Sequence, residues 1–259
     1  MRKKILISAL LVVIAAIVAI WFFLFRDDAP PPPDAQSAAA VAEAAQTTTT
    51  VPSTTSGDSA TTTQAVATTT EAETGIEGSW VVDTAIGSFE DFSSTYVGFR
   101  IEEELAQGIG KTTAVGRTPV VSGTLEFSSS ELLRAEIIAD LSQITTDRSW
   151  RDDNVYDALD AGNHPNAVFS LVGPITLDDP ETEGIEHPIS ATGELTIKGV
   201  TQEVSVELTA QRIGQIITVT GQFPMVFSDF GVEVPTAPIV VSVEDNGLIE
   251  VQLFLTPAS

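Results

Sequence analysis

The chain has no cysteine and only two histidines, His164 and His187, among its 259 residues. Without cysteine there is no disulfide, no thiolate nucleophile, no Cys-ligated metal centre and no site for an N-terminal lipid. Both histidines precede proline in turn-like contexts, with no partner at metal-ligand spacing, and read as loop histidines. No G-x-S-x-G elbow, H-E-x-x-H helix or phosphate-binding loop occurs. Carboxylates are abundant but fall on the outward sides of the strands, where nothing raises them toward general-acid work. The expectation is therefore no catalytic residue, no metal, no cofactor and no enzymatic activity.

Basic residues are almost as scarce. Lys and Arg total 12 against 36 Asp and Glu, for a net charge of −24. After residue 74 the counts are 8 and 29, leaving −21 on that region alone. Nucleic acid demands a positive face, so a nucleic-acid partner is excluded.

Long apolar runs are limited to one. Arg2, Lys3 and Lys4 precede Ile5 to Phe25, 21 residues interrupted only by Ser8. At about 1.5 Å per helical residue this spans the roughly 30 Å hydrocarbon core. The basic flank predicts a cytoplasmic N-terminus, with everything after Phe25 outside. A cleaved signal peptide is the competing reading. Its apolar core is shorter and ends in a small-x-small site, whereas this run ends Trp-Phe-Phe-Leu-Phe-Arg. Residues 1–26 are thus expected to be a signal-anchor helix of a single-pass membrane protein.

Residues 27–74 lack large apolar side chains other than Val41, Val51 and Val66, and consist of Pro30–Pro33, an Ala-rich stretch and Thr clusters. Such a segment buries too little to offset its ordering entropy, and it reads as a disordered linker. As a flexible coil it has an end-to-end distance of roughly 35–40 Å.

Residues 75–259 read as antiparallel sheet. Ala135, Ile137, Ala139 and Leu141 alternate with polar or outward positions, as do Ala191, Gly193, Leu195 and Ile197. Val204, Val206 and Leu208 repeat the pattern, and so do Ile249, Val251, Leu253 and Leu255. Period two means one buried face and one wet face. Lys198-Gly199, Gly214 and Asn246-Gly247 supply turn signals, and a long meander hides its edges by closing. The fold class is all-β, a barrel or strongly curved sheet. One stretch, Asp147 to Gly162, breaks the alternation and predicts a short helical insert capped by Ser149.

No inward position on these four strands is charged, and several are Ala or Gly. Small residues can leave room for a ligand or admit an opposing layer; the pattern by itself favours a packed interior. Arg148 and Arg151 stand out in so acidic a region. Pairing with nearby acids is one role for them, and meeting an anionic head group at a barrel mouth is the other.

Several motifs occur together and in order. They are Gly78-Ser79-Trp80-Val81-Val82-Asp83, Thr146 with Arg151-Asp152, and Asn163-His164-Pro165-Asn166-Ala167-Val168-Phe169. Gly193-Glu194-Leu195-Thr196-Ile197-Lys198-Gly199-Val200-Thr201 and Phe227-Ser228-Asp229-Phe230-Gly231-Val232 follow. From Gly78 to Pro257 the chain resembles the YceI-like family. The resemblance implies an extended lipocalin-like antiparallel barrel that binds a polyisoprenoid or similar lipophilic molecule, without catalytic residues. The chain departs from the family where a histidine is absent near Val97–Ile101 and where His164 replaces an aromatic before Pro165. On that reading Ala135, Ile137, Ala139, Phe169, Leu195, Val206 and Leu253 line the barrel, and Arg148 and Arg151 stand at its mouth. The other reading is a packed acidic β-domain acting as a protein-interaction or stress-response module.

Overall fold

Alternating apolar residues build one antiparallel sheet whose two ends meet. The computed structural model describes residues 29–49, 75–105, 110–235 and 240–258. The expected anchor helix and the Thr-rich part of the linker lie outside these residues. Among the described residues, no helix is long and apolar enough to cross a membrane.

The strands are β1 (Gly78–Asp83), β2 (Tyr96–Leu105), β3 (Gly110–Thr118), β4 (Val121–Phe127), β5 (Glu131–Asp140), β6 (Thr145–Thr146) and β7 (Asn166–Leu171). They continue with β8 (Ile175–Thr176), β9 (Glu186–Ile197), β10 (Val200–Ile213), β11 (Ile216–Val226), β12 (Val240–Val243) and β13 (Asn246–Pro257). Eight of them, in the order β1-β4-β5-β7-β9-β10-β11-β13, form a ring closed by the pairing of β13 with β1. The last strand serves two neighbours. Its Leu248–Gln252 half pairs β2, while Phe254–Pro257 pairs β1. Because β2 carries β3 and β3 carries β6, the wall extends beyond the ring at one end.

The turn at Lys198-Gly199 has φ of 51° and 74°, the two positive values that a tight β9–β10 hairpin of type I′ requires. Asn246-Gly247, read as a second such turn, is instead the start of β13, with Gly247 opposite Met225. Space explains this glycine. A Cβ there would stand 2.7 Å from the Arg100 carbonyl oxygen on β2 and 2.8 Å from the Phe227 ring, so the position is kept bare by both.

The helical insert is present but built differently from expectation. A 3₁₀ turn, Ser149–Arg151, runs into a short helix, α2 (Asp152–Ala158). Ser149 lies inside the turn and caps nothing. Asp152 ties the insert down by accepting from the Thr146 backbone N–H at 2.8 Å and its hydroxyl at 2.6 Å.

The outer face of β13 is not wet. Glu250, Gln252 and Phe254 point away from the lumen and are all buried. Two segments cover them. Gln252 donates to the carbonyls of Phe92 and Ser94, and the Phe254 N–H donates to the Thr95 hydroxyl. The second cover is a helix, α1 (Ala35–Thr49), inside the segment read as a disordered linker. Its Ala38 and Ala42 are buried against Ile86, Ile216 and Phe254. Asp34 accepts from the Ser37 N–H at 2.8 Å, and that bond holds its carboxyl below the usual range. Ahead of the helix, the carbonyls of Pro30 and Pro31 accept from Arg100 and Arg117. Those arginines also grip the wholly buried Glu250, at 2.7 Å each. Alanine explains the difference. Its apolar stripe is too small to register as a core face, yet it is the best helix former and lets the helix lie close to the barrel.

Candidate functional site

The inward residues of the ring do not fill its centre. Ala135, Ile137, Phe169, Leu208 and Val219 face inward and remain only partly buried, which is the mark of a hollow. They surround a cavity of about 250 Å³ whose wall is almost wholly apolar. All seven residues singled out as lining, Ala135, Ile137, Ala139, Phe169, Leu195, Val206 and Leu253, lie on that wall. They come from β5, β7, β9, β10 and β13, so one hollow gathers side chains from five strands. Gly193 adds no free space. Phe169 lies where its Cβ would be, so the ring lines the wall and the glycine accommodates it.

One end of the cavity is bordered by residues 177–185, between β8 and β9. Asp178 and Pro180 contribute to the wall there. Glu181 latches the segment, accepting from Arg212 at 2.8 Å and from the Ile76 N–H at 3.1 Å. The Gly184 N–H adds a bond to the Arg212 carbonyl. Replacing Glu181 with alanine removes a half-exposed ion pair worth about 1 kcal/mol. Release of a bound fluorescent fatty alcohol, followed by stopped flow, is expected to quicken about fivefold. Unchanged release would place the exit elsewhere.

His187 belongs to this end. It is not a loop histidine but the second residue of β9, opposite Ala210, on the same side of the strand as Ala191 and Leu195. It lines the cavity, and its Nε2 is buried with no hydrogen-bond partner. Extending the alternation of β9 back from Ala191 by two pairs of residues reaches it. The proline at 188 masked the strand.

Arg148 and Arg151 do not stand at the mouth of this cavity. Arg151 is buried, and its guanidinium is spent on acids: Asp147 Oδ1 at 3.0 Å and a short contact to Glu103. Arg148 lies 3.8 Å from the second oxygen of Asp147. Burial raises the Glu103 carboxyl above its usual range, against the pull of Arg151. Glu103 is an inward charge that the four strands read from sequence did not include. Arg151 instead borders a second, smaller cavity of about 70 Å³ with Phe99, Ile101, Val155 and Leu159. The lumen thus ends in an arginine–carboxylate pair on both sides, Arg212–Glu181 and Arg151–Glu103, with apolar walls between. Among the described residues, no cluster of His, Cys, Asp or Glu is placed to hold a metal ion.

A family model described as the YceI-like domain matches residues 80–255. The chain belongs to the YceI-like family. No curated protein matches the chain. Among solved structures, a polyisoprenoid-binding domain from Saccharophagus degradans, implicated in plant cell wall breakdown, superposes with a TM-score of 0.54 at 15% identity. That alignment covers 70% of this chain and 100% of the other. Burkholderia cenocepacia BcnA aligns at 21% identity with a TM-score of 0.47, covering 68% of this chain and 99% of its own. At these identities the likeness is one of fold, a YceI-like barrel of eight antiparallel strands with a short helix.

Proposed function

We propose that this YceI-like protein is a membrane-tethered, extracytoplasmic binding protein for a lipophilic chain of polyisoprenoid type. The apolar cavity within the barrel carries the reading. Its wall is almost wholly apolar, with its few polar side chains, among them His187 and Ser190, on the strand next to the Glu181 end, so its chemistry is that of shelter. Each methylene moved from water into it contributes roughly 0.8 kcal/mol, and a branched chain of modest length binds well without polar contacts. The hollow also favours this role over the packed acidic interaction module, which needs a filled interior. Support for the tether comes from the basic flank and the apolar run Ile5–Phe25. Support for an isoprenoid comes from the Saccharophagus degradans relative, described as polyisoprenoid-binding.

The test compares the full chain with its Ala135→Phe variant, both extracted from membranes of the native host. Ala135 faces open lumen, so a phenyl group there occupies ligand space at little cost to packing. Native mass spectrometry with organic extraction is expected to find one lipophilic molecule per wild-type chain and almost none on the variant. Equal lipid on both, or none on either, refutes the reading.

A further inference from the structure

We propose that the lumen is two chambers in line, divided by one layer of side chains centred on Phe99 and Phe227, and that this layer sets the chain length the protein accepts. The inference rests on the ligand-binding reading above and concerns the same interior.

The division is visible along a single strand. The inward positions of β2 are, in order, Val97, Phe99, Ile101 and Glu103. Val97 borders the larger cavity, and the other three border the smaller. The two cavities share no lining residue, so the boundary falls within one pleat repeat, about 7 Å of strand. On the neighbouring strand β13, Ile249 is the direct partner of Phe99 and borders the larger cavity. The next position of that strand on the same side is Gly247, whose place is taken by Phe227.

The two rings meet edge to face, with centroids 6.3 Å apart and planes at 85°. Each rests on a glycine. Phe99 occupies the space of a Cβ at Gly116, its partner on β3, and Phe227 that of Gly247. Leu141, Ile197 and Met225 are buried in the same core and border neither cavity, as expected of residues completing a wall. Beyond the layer the smaller chamber is again apolar, through Ile101, Val155, Leu159 and Val232. It ends at Arg151, whose Nε is buried and unpartnered. A side-chain layer between two apolar spaces makes sense as a stop: a chain entering from the Glu181 end meets the rings.

The experiment presents the full chain with an equimolar mixture of geraniol, farnesol, geranylgeraniol and solanesol, and reads occupancy by native mass spectrometry. Wild type is expected to favour one of the shorter alcohols and to discriminate against those longer. Removing the Phe99 ring joins the chambers, and each further methylene admitted is worth about fourfold in affinity. Phe99→Ala is therefore expected to move the preference to the next longer alcohol by at least tenfold. Phe99→Leu and Phe227→Leu, which keep more of the core, are expected to move it in the same direction by less. If wild type selects by length but all three variants keep its preference, the dividing layer is not the determinant. If wild type takes up no alcohol of any length, the failure lies with the ligand-binding reading itself, and the stop falls with it.

Discussion

Replacing Arg151 with methionine is expected to destabilise the barrel by about 3–5 kcal/mol near neutral pH, the usual cost of stranding a buried charge. Arg151 is held between Asp147 and Glu103, with little of any of the three side chains exposed. Methionine fills the volume, leaves Glu103 without its ion-pair partner and leaves Asp147 with Arg148 alone. The loss should depend on pH in a stated direction. Burial already raises Glu103, and without Arg151 its folded-state pKa rises further. The folded variant then holds a proton that the unfolded chain gives up. Its stability is fully present below the ordinary carboxylate range and is lost as pH rises through the raised value. Urea denaturation at about pH 5 should accordingly show a smaller deficit than at about pH 7. An equal deficit at both would mean that Glu103 stays ionised and finds water once Arg151 is gone.

That pair also marks where the sequence stopped being readable. Period-two alternation tells which side of a strand is buried; it covers six of the seven residues read as lining, Phe169 coming from the family motif instead, and all seven border one cavity. It is silent on whether the buried side meets side chains or a hollow. Ala135 and Ala139 were compatible with either, and only their neighbours across the lumen decide. The rings that shape the interior are equally hidden. Phe169 on Gly193 and Phe227 on Gly247 join residues on different strands or turns, and no local pattern links them. Gly247 was mistaken for a turn because asparagine before glycine is a strong local signal, while the steric demand on it comes from elsewhere in the fold.

Alternation also says nothing of what lies outside a barrel. Glu250 sits between Ile249 and Val251 as any solvent-facing residue would, yet it is wholly buried. Its partners Arg100 and Arg117 are two of only eight basic residues after residue 74. The scarcity was legible; the place where the bases would be spent was not. Tyr96 shares that neighbourhood, with the Arg117 guanidinium 4.3 Å from its ring centre, and burial pushes its phenol up to about 12. The segment covering this cluster could have been suspected from Ala38, Val41, Ala42 and Ala45, which recur at helical spacing behind the capping residue Asp34.

Changing Ala42 to aspartate should detach that segment and expose what it protects. Ala42 has no accessible surface, and its neighbour Phe254 has none either. A carboxylate cannot stay there, because Ala42 packs into an apolar cluster with Ile86, Ile216 and Phe254. The helix therefore lifts off, and the barrel regains water on Phe254, Ile216 and Ile86. Burying one such side chain is worth about 1.5–3 kcal/mol, so a loss of about 3 kcal/mol is expected. For a domain of this size that lowers the melting midpoint by about 6–12 °C. A protease should cut between residues 35 and 49 in the variant and spare them in the wild type. Alcohol binding should persist, since the lumen lies on the other side of β13. Were the variant as stable and as resistant as wild type, residues 29–49 would be the loose linker that their composition suggests. If they are instead part of the folded unit, the chain between Phe25 and Pro30 spans at most about 18 Å. With the proposed membrane anchor, the barrel would then ride against the membrane rather than at the end of a long tether.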